Sequence, residues 1–300
     1  MNSNLIIKEF QSEMLATGIK PPENIIPNAV LQRFYVKGDK PSSKNGWYVL
    51  SCSGLPHGAF GDWKTGLSRS WHYSLHNFRG PHAFINVRKE FIESIEQYKR
   101  QKETDQNIAA KVALQKWAQS KPAHSYHPYL RHKRILPFNA RQTGKWLILP
   151  IMDLCGKIWS LQFIDGTGFK QFLYKGRIKG NFIPLQKINS KRPFLLCESF
   201  STAATLAQIN TEFQVIAASN AGNLKAVALN IRKHFPDNKI IICADDDRCK
   251  PVNIGMQKAN EAAIAAGAFL AKPNWSANAP ADLTNFNDLA VWLMSQENAA

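Results

Sequence analysis

The region from residue 193 to residue 272 constrains the fold more than any other part of the chain. Four short apolar runs alternate there with three helical patterns, and the runs are Phe194–Cys197, Gln214–Ala218, Ile240–Ala244 and Ala268–Ala271. Strands that alternate with helices in this way favour right-handed crossovers and a parallel sheet. The sequence therefore predicts an α/β domain, with a parallel sheet flanked by helices.

Acidic residues follow two of these runs directly. Glu198 comes after the first run, and Asp245, Asp246 and Asp247 come after the third. Because ligands bind outside the carboxyl ends of parallel strands, we expect these side chains to converge on one site. Alternation along the chain places Asp245 and Asp247 on the same side, with Asp246 pointing elsewhere. An isolated acidic turn would only cap the next helix, but the glutamate on the neighbouring strand favours a functional site.

Carboxylates crowded in this way repel one another unless a cation lies between them. Mg²⁺ is the expected cofactor, with Mn²⁺ as a substitute, because it takes oxygen ligands and completes its octahedron with waters and substrate phosphates. Two such ions can clamp the attacking and leaving oxygens of a phosphoryl transfer. The acidic residues therefore indicate a magnesium centre for chemistry at phosphorus.

The positive charge of the chain is concentrated in another segment. The formal net charge is +16, and residues 121–190 hold 12 Lys or Arg against two acids, which is +10. Nucleic acid is the first candidate partner for such a surface, and an anionic membrane surface is the second. The basic residues fall in and beside three predicted strands, 145–151, 157–164 and 169–176, instead of in a polar tail. We expect the following residues to bind nucleic-acid or nucleotide phosphates: Arg131, Lys133, Arg134, Lys145, Lys170, Lys175, Arg177 and Lys179.

Cysteine usage and hydropathy exclude several classes of protein. The five cysteines form an odd set without a Cys-x-x-Cys pair, so neither a disulfide framework nor a structural zinc site is expected. No apolar run approaches the roughly 18 residues that span a bilayer, and the first residues lack the apolar segment of a signal peptide. The sequence therefore predicts a cytoplasmic protein without a membrane partner.

Residues 1–86 are expected to form a small α+β domain that begins with a weak helical pattern. Trp47–Cys52 and Ser70–Tyr73 are predicted strands, and glycines are dense between them. Two interpretations stay open for the aromatic residues of this region. They fill a small β core, or they form a template platform on which bases stack beside basic side chains. The candidate platform residues are Trp63, Lys64, Arg69 and Arg79.

Residues 87–120 are predicted to be a helical linker, because apolar residues recur there at near-helical spacing. The polar run 99–106 in its middle is expected to be a solvated break in the helix. Histidines are frequent in this half of the chain, but no cysteine or acid completes a metal site at ligand spacing. The histidines in question are His57, His72, His76 and His82.

Residues 193–272 resemble a TOPRIM domain, the catalytic unit of bacterial primases, of type IA and type II topoisomerases and of some nucleases. The family pattern has a glutamate after the first strand and Asp-x-Asp after the third. It implies that Glu198 is the first acid and that Asp245 and Asp247 are the pair. Ser219–Asn223 resembles the glycine-containing turn that follows the second strand of the family.

The resemblance extends on both sides of this domain. Residues 147–164, 170–176 and 179–180 are similar to the basic subdomain that precedes TOPRIM in primases. Gly58–Gly66 and Asn285–Asp288 resemble segments of primases carried by phages, plasmids and other mobile elements. The chain departs from the family pattern at three points. Ser199 replaces the usual glycine after the first acid, and we expect neither an amino-terminal zinc finger nor a following helicase domain.

The resemblance implies five segments. These are a small domain at 1–86, the helical linker at 87–120, a basic primase-type subdomain at 121–190, the TOPRIM catalytic domain at 191–275 and a tail with a short helix at 276–300.

The implied activity is that of a DNA primase, a magnesium-dependent nucleotidyltransferase that makes short RNA primers on single-stranded DNA from ribonucleoside triphosphates. A replicative helicase or another replication protein is a candidate partner. Two alternatives stay open: a TOPRIM nuclease with the same acids, and a non-catalytic protein that binds single-stranded DNA.

Overall fold

The computed structural model describes residues 3–39, 43–52, 56–73, 81–189 and 191–297, and it describes only the backbone of residues 81–95, 97 and 98. The chain divides into two compact units, Met1–Lys102 and Glu103–Ala300. Within the described ranges, no helix combines the length and the hydropathy that crossing a membrane would require.

In the first unit, a helix packs on a four-stranded antiparallel sheet, whose strands lie in the order β1-β2-β3-β4. Its elements are α1 (Ser3–Ala16), β1 (Gln32–Phe34), β2 (Gly46–Ser51), β3 (His57–Asp62) and β4 (Leu67–His72). Phe10 of α1 packs edge-on against the rings of Tyr48, Phe60 and Trp71, with ring centroids 5.2 to 6.2 Å apart. These aromatic residues therefore belong to a small core, as the first of the two interpretations expected.

Strand β3 was not predicted because two of its six residues are glycines. A Cβ on Gly61 would lie 2.8 Å from two atoms of the Trp47 indole. The indole therefore lies close against the strand, and only glycine leaves space for it.

A long helix, α2 (Pro81–Gln119), begins in the first unit and ends in the second. The predicted break at residues 99–106 is wrong, because the helix continues through it. Residues 99–104 are exposed, and Lys, Arg, Gln and Glu have high helix propensity, so a polar run can stay helical without packing.

The second unit contains two sheets. The first is antiparallel, with strands in the order β5-β6-β7-β8-β9, and we call it the basic sheet. Its strands are β5 (Lys121–Pro122), β6 (Arg141–Thr143), β7 (Trp146–Met152), β8 (Ile158–Ile164) and β9 (Lys170–Phe172), and the helix α3 (Pro128–Lys133) lies between β5 and β6 in the chain. The predicted strand 169–176 is therefore shorter than expected. Lys175 adopts a left-handed backbone with φ of +59°, which ends the extended conformation.

The second sheet has the order β10-β12-β11-β13-β14. Its strands and helices are β10 (Ile183–Pro184), β11 (Phe194–Cys197), α4 (Phe200–Ile209), β12 (Gln214–Ala217), α5 (Leu224–His234), β13 (Ile240–Cys243), α6 (Ile254–Ala266) and β14 (Phe269–Ala271), and α7 (Phe286–Glu297) follows. Strands β11 to β14 are parallel, which confirms the predicted α/β sheet. Strand β10 was not predicted, and it pairs antiparallel with β12.

The two faces of the basic sheet have different neighbours. Leu147 and Leu149 of β7 share one hydrophobic core with Phe200 of α4. Ile148, which points to the other face, packs with Ala113 of α2. The basic sheet is thus joined to the parallel sheet through a common core, and the five-segment division stays a prediction.

Candidate active site

A cavity of about 660 Å³ lies where the parallel strands end and the β8–β9 hairpin begins. It brings Glu198 and Asp245 together with Lys170, a residue of the basic sheet. The complete lining is Pro128, Tyr129, His132, Lys133, Gly166, Thr167, Gly168, Lys170, Glu198, Ser199, Ser201, Asp245 and Asn285. Two of the three predicted acids and two of the predicted basic residues therefore share one cavity.

Glu198 stands between strand β11 and helix α4. Ser199 has extended backbone angles and caps α4, because its hydroxyl accepts a hydrogen bond from the Thr202 N–H at 3.2 Å. Serine therefore satisfies the helix end where the family usually has glycine. Burial raises the pKa of Glu198, an effect that the Lys170 ammonium and a hydrogen bond from the Ala221 N–H partly offset. The Glu198 carboxyl is thus held in a poorly solvated position next to a cation.

Asp245 follows β13 and has the most strongly shifted carboxyl of the site. Burial, together with the neighbouring carboxylates of Glu198 and Asp247, raises its pKa to about 7. Its Oδ1 atom is buried and has no hydrogen-bond partner. A Cβ on Gly255 would lie 2.5 Å from the Asp245 carbonyl oxygen, so glycine allows helix α6 to begin directly against this residue.

The other two aspartates have different partners. Asp246 is buried, its N–H donates to the Thr284 carbonyl, and its carboxylate accepts a 2.7 Å hydrogen bond from the Asn253 side chain. It is therefore a structural residue that points away from the cavity. Asp247 forms an ion pair with Lys250, with Oδ1 and Nζ 2.7 Å apart.

The acidic side chains of the site fit a divalent cation in part. Among the described residues, no three His, Cys, Asp or Glu side chains are grouped closely enough to hold a metal ion. Nevertheless, Asp245 carries a buried carboxylate oxygen without a partner, and it repels Glu198 and Asp247. A hard cation would satisfy that oxygen and relieve the repulsion. Glu198 and Asp245 thus fit such an ion. Asp247 would have to break its ion pair with Lys250 before it could bind the ion.

The structure distributes the predicted basic residues among several places. Lys170 and Lys133 line the cavity, and Lys133 also forms a 3.1 Å ion pair with Asp288. Burial lowers the pKa of Lys170, although attraction to Glu198 and Asp245 opposes that shift. Lys170 as a residue is exposed, and its charge attracts both carboxylates of the cavity.

The remaining basic residues are not part of the cavity lining. Lys175 is paired with Asp105 at 2.8 Å, and the Arg177 guanidinium lies 4.7 Å from the centre of the Trp159 ring. Arg131, Arg134, Lys145 and Lys179 are exposed. Their binding of phosphates stays a prediction.

Sequence reasoning missed the part that the C-terminal segment takes in the site. Asn285 lines the cavity, and the Thr284 carbonyl holds the Asp246 N–H. Asp288 pairs with Lys133 and accepts hydrogen bonds from the Thr284 N–H and the Asn285 side chain. The sequence contains the motif Asn285–Asp288, but nothing in its spacing indicates which residues it contacts.

A buried amide, Asn223, connects the acidic site to the basic segment. It ends the 3-10 turn Ala221–Asn223, whose first N–H bonds to Glu198. The Asn223 side chain accepts from the Gly180 N–H at 2.8 Å. Its Nδ2 lies 3.2, 2.8 and 2.8 Å from the carbonyl oxygens of Ile178, Asn181 and Ala218. The turn therefore fixes the position of residues 178–181 relative to Glu198.

Asn223→Ala is expected to lower the free energy of unfolding by about 2–4 kcal/mol, because it leaves buried peptide groups without partners. Urea denaturation would measure the loss. Asn230→Ala is the matched control, since the Asn230 side chain donates one hydrogen bond, to the Gly180 carbonyl. The loss in this variant should be about 1 kcal/mol. Equal losses in the two variants would contradict the role assigned to Asn223.

The candidate platform belongs to the first unit. Trp63 is 48% exposed, stacks on Trp47 with centroids 6.1 Å apart and lies 4.6 Å from the Arg33 guanidinium. Lys64 is paired with Asp39 at 2.7 Å, and Arg69 is exposed. Arg79 and His76 lie outside the described residues, as does the side chain of His82. A role for this surface in template binding stays a prediction.

The parallel sheet, with acids at the carboxyl ends of its first and third strands in chain order, defines a class of domain. Residues 194–291 match the family model described as Toprim domain. This part of the chain is therefore a TOPRIM domain, as the motifs predicted.

The wider chain is similar to named primases. It is 31% identical over 259 residues to a DNA primase TraC of Escherichia coli, a match covering 82% of this chain and 24% of the relative. A second DNA primase TraC of Escherichia coli is 29% identical over 301 residues, covering 94% of this chain and 20% of the relative. The chain is thus a homologue of these proteins, but it spans less than a quarter of the length of either.

Two solved structures are also similar. The primase fragment of the bacteriophage T7 primase-helicase protein matches with a TM-score of 0.44 and 12% identity, covering 60% of this chain and 79% of that one. The DnaG primase catalytic domain bound to single-stranded DNA matches with a TM-score of 0.42 and 14% identity, covering 67% and 78%.

Proposed function

We propose that the chain is a DNA primase, a magnesium-dependent nucleotidyltransferase that makes short RNA primers on single-stranded DNA. The observation that supports this most is the cavity in which Glu198 and Asp245 of the TOPRIM domain face Lys170 of the basic sheet. A carboxylate pair beside a cation suits chemistry on a triphosphate, because it can hold a metal ion on one side and phosphate oxygens on the other. The homology to DNA primase TraC supports the same activity.

Glu198, Asp245 and Asp247 would hold Mg²⁺, with Mn²⁺ as a substitute. When bound, the ion would neutralise charge that develops on the transferring phosphate. Lys170 would orient a phosphate oxygen in the cavity, and Lys133, fixed by Asp288, would add positive charge at its rim. Positioning and electrostatic stabilisation would supply most of the rate enhancement, as is usual for phosphoryl transfer.

The setting of the activity is part of the proposal. The substrates would be single-stranded template and ribonucleoside triphosphates. Replication of a mobile element in the cytoplasm, with a helicase or another replication protein as partner, fits the resemblance to primases of phages and plasmids.

An extension assay tests the proposal. Labelled single-stranded DNA is incubated with Mg²⁺, with and without ribonucleoside triphosphates, and we expect RNA products that require the nucleotides. Cleavage without nucleotides would favour the TOPRIM nuclease instead, and salt-sensitive binding without any product would favour a non-catalytic binding protein.

The double variant Asp245→Asn with Asp247→Asn should yield no product in this assay. Glu212→Gln removes an exposed carboxylate elsewhere in the TOPRIM domain and should leave the yield unchanged. Undiminished incorporation by the double variant would overturn the assignment.

A further inference from the structure

The basic sheet carries a second groove on the face opposite the catalytic cavity. Lys170 points to the cavity, and Gln171, the next residue of β9, points to the other face, as strand alternation requires. The groove has a volume of about 470 Å³, and we call it the aromatic groove. Its principal residues are Trp146, Phe163, Tyr174, Lys116, Gln119 and Gln171.

Aromatic rings lead from this groove to the hairpin that forms the cavity wall. The Trp146 ring lies 6.4 Å from Phe163 and 6.4 Å from Phe169, measured between centroids. Phe169 is 58% exposed, and it follows Gly168 and precedes Lys170, which both line the catalytic cavity. Strand β9 is the last strand of the sheet. A flexible chain can therefore pass from the groove to the cavity around its edge.

Tyr174 is 82% exposed, yet it stands on a turn that the protein holds firmly. Lys175 takes a left-handed conformation with φ of +59°, which is unfavourable for a non-glycine residue. Its ammonium is paired with Asp105 of α2 at 2.8 Å. A Cβ on Gly176 would overlap Ser160, so the turn is also pressed against β8. The Lys175 ammonium also lies 5.6 Å from the centre of the Tyr174 ring. A strained and anchored turn that displays an exposed ring beside a cation suits a binding element.

The groove is also positively charged. Lys116 and Lys145 are exposed, Lys116 lines the groove, and the Lys145 ammonium lies 5.3 Å from the centre of the Trp146 ring. Rings combined with cations suit single-stranded nucleic acid, since unpaired bases stack on the rings and phosphates attract the cations. An apolar protein partner would gain nothing from the cations.

We propose that the aromatic groove binds unpaired bases of single-stranded DNA on its way around the edge of β9 into the catalytic cavity. This inference deepens the proposed function, because it names the path by which a template would reach the site. Bases would stack on Tyr174 and Phe169, and Lys116 and Lys145 would contact the phosphates between them.

The test measures binding of a fluorescent oligothymidylate of about 16 nucleotides by anisotropy, for the full chain in Mg²⁺. Tyr174→Ala and Phe169→Ala should each weaken binding roughly tenfold, and the double variant about a hundredfold. Tyr174→Phe keeps the ring and should bind like wild type. The slope of affinity against salt concentration should stay the same in the alanine variants, because stacking releases no counterions, whereas Lys116→Gln should reduce it.

Phe269→Ala is the matched control, since Phe269 is 61% exposed on β14, at the edge of the other sheet. It should not change the affinity. The inference is overturned if the Tyr174 and Phe169 variants bind within twofold of wild type, or if they lose affinity for duplex and single strands equally. Binding that depends on Tyr174 without any primer synthesis would uphold the groove and reject the primase assignment. Primer synthesis together with unchanged binding by these variants would uphold the primase assignment and reject the groove.

Discussion

Asp245→Asn is expected to lower ribonucleotide incorporation by at least about a thousandfold and to make the metal-free protein more stable at pH 8. The loss of activity follows because the variant removes a carboxylate from the centre of the catalytic cavity, where one charged group is commonly worth several kcal/mol of transition-state stabilisation. The gain in stability follows because a buried carboxylate without a bound cation lowers the stability of the folded protein, and the variant removes that charge.

The pKa of Asp245 in the folded protein, about 7, lies above the ordinary value of 3.8. The folded state therefore holds this proton more tightly than the unfolded state does. Stability falls as the pH rises from about 4 to about 7, and above that window the full cost of the buried charge is present. Asparagine carries no charge, so the variant avoids a cost on the order of 2–4 kcal/mol at pH 8.

Urea denaturation in a chelator at pH 5 and at pH 8 would measure this effect, and the advantage of Asp245→Asn should be larger at pH 8. Adding Mg²⁺ should raise the melting temperature of wild type but not that of the variant, because only the wild-type site binds the ion in the folded state. Asp247→Asn serves as a comparison, since its carboxylate is already paired with Lys250. An advantage that did not change with pH would contradict the buried charge.

Lys170→Gln is expected to lower incorporation by about a hundredfold to a thousandfold, which is the second-largest effect. The Lys170 ammonium opposes the rise in the pKa of both Glu198 and Asp245. Without it, both carboxyls should protonate at higher pH. The acid limb of the pH–rate profile should therefore move upward, in addition to the lower maximum rate.

The rate of incorporation measured from pH 6 to pH 9 would separate these two contributions. Lys170→Arg keeps the positive charge and should retain part of the activity and an acid limb near that of wild type. Lys187→Gln removes an exposed cation from the same segment, residues 121–190, and should have little effect. If Lys170→Gln lowered the rate without moving the acid limb, Lys170 would not act through the two carboxyls.

The sequence by itself determined the parallel sheet and the place of Glu198 and Asp245 at the ends of two of its strands. Burial on both faces requires strands that are apolar throughout, and this leaves runs such as Phe194–Cys197 that can be recognised without coordinates. Alternation along the chain also predicts that Asp246 points away from Asp245, although the aspartates follow the end of the strand. In the structure Asp246 is indeed turned to Asn253 and away from the cavity.

Only the tertiary structure decided which basic residues meet the acids. The sequence showed a concentration of charge in residues 121–190, but the pairing of β7, β8 and β9 brings Lys170 to the cavity and leaves Lys175 with Asp105. The structure likewise pairs Asp247 with Lys250 and brings Asn285 to the cavity wall. Such contacts depend on how separate elements pack against one another, whereas strand alternation and apolar runs are properties of a few consecutive residues.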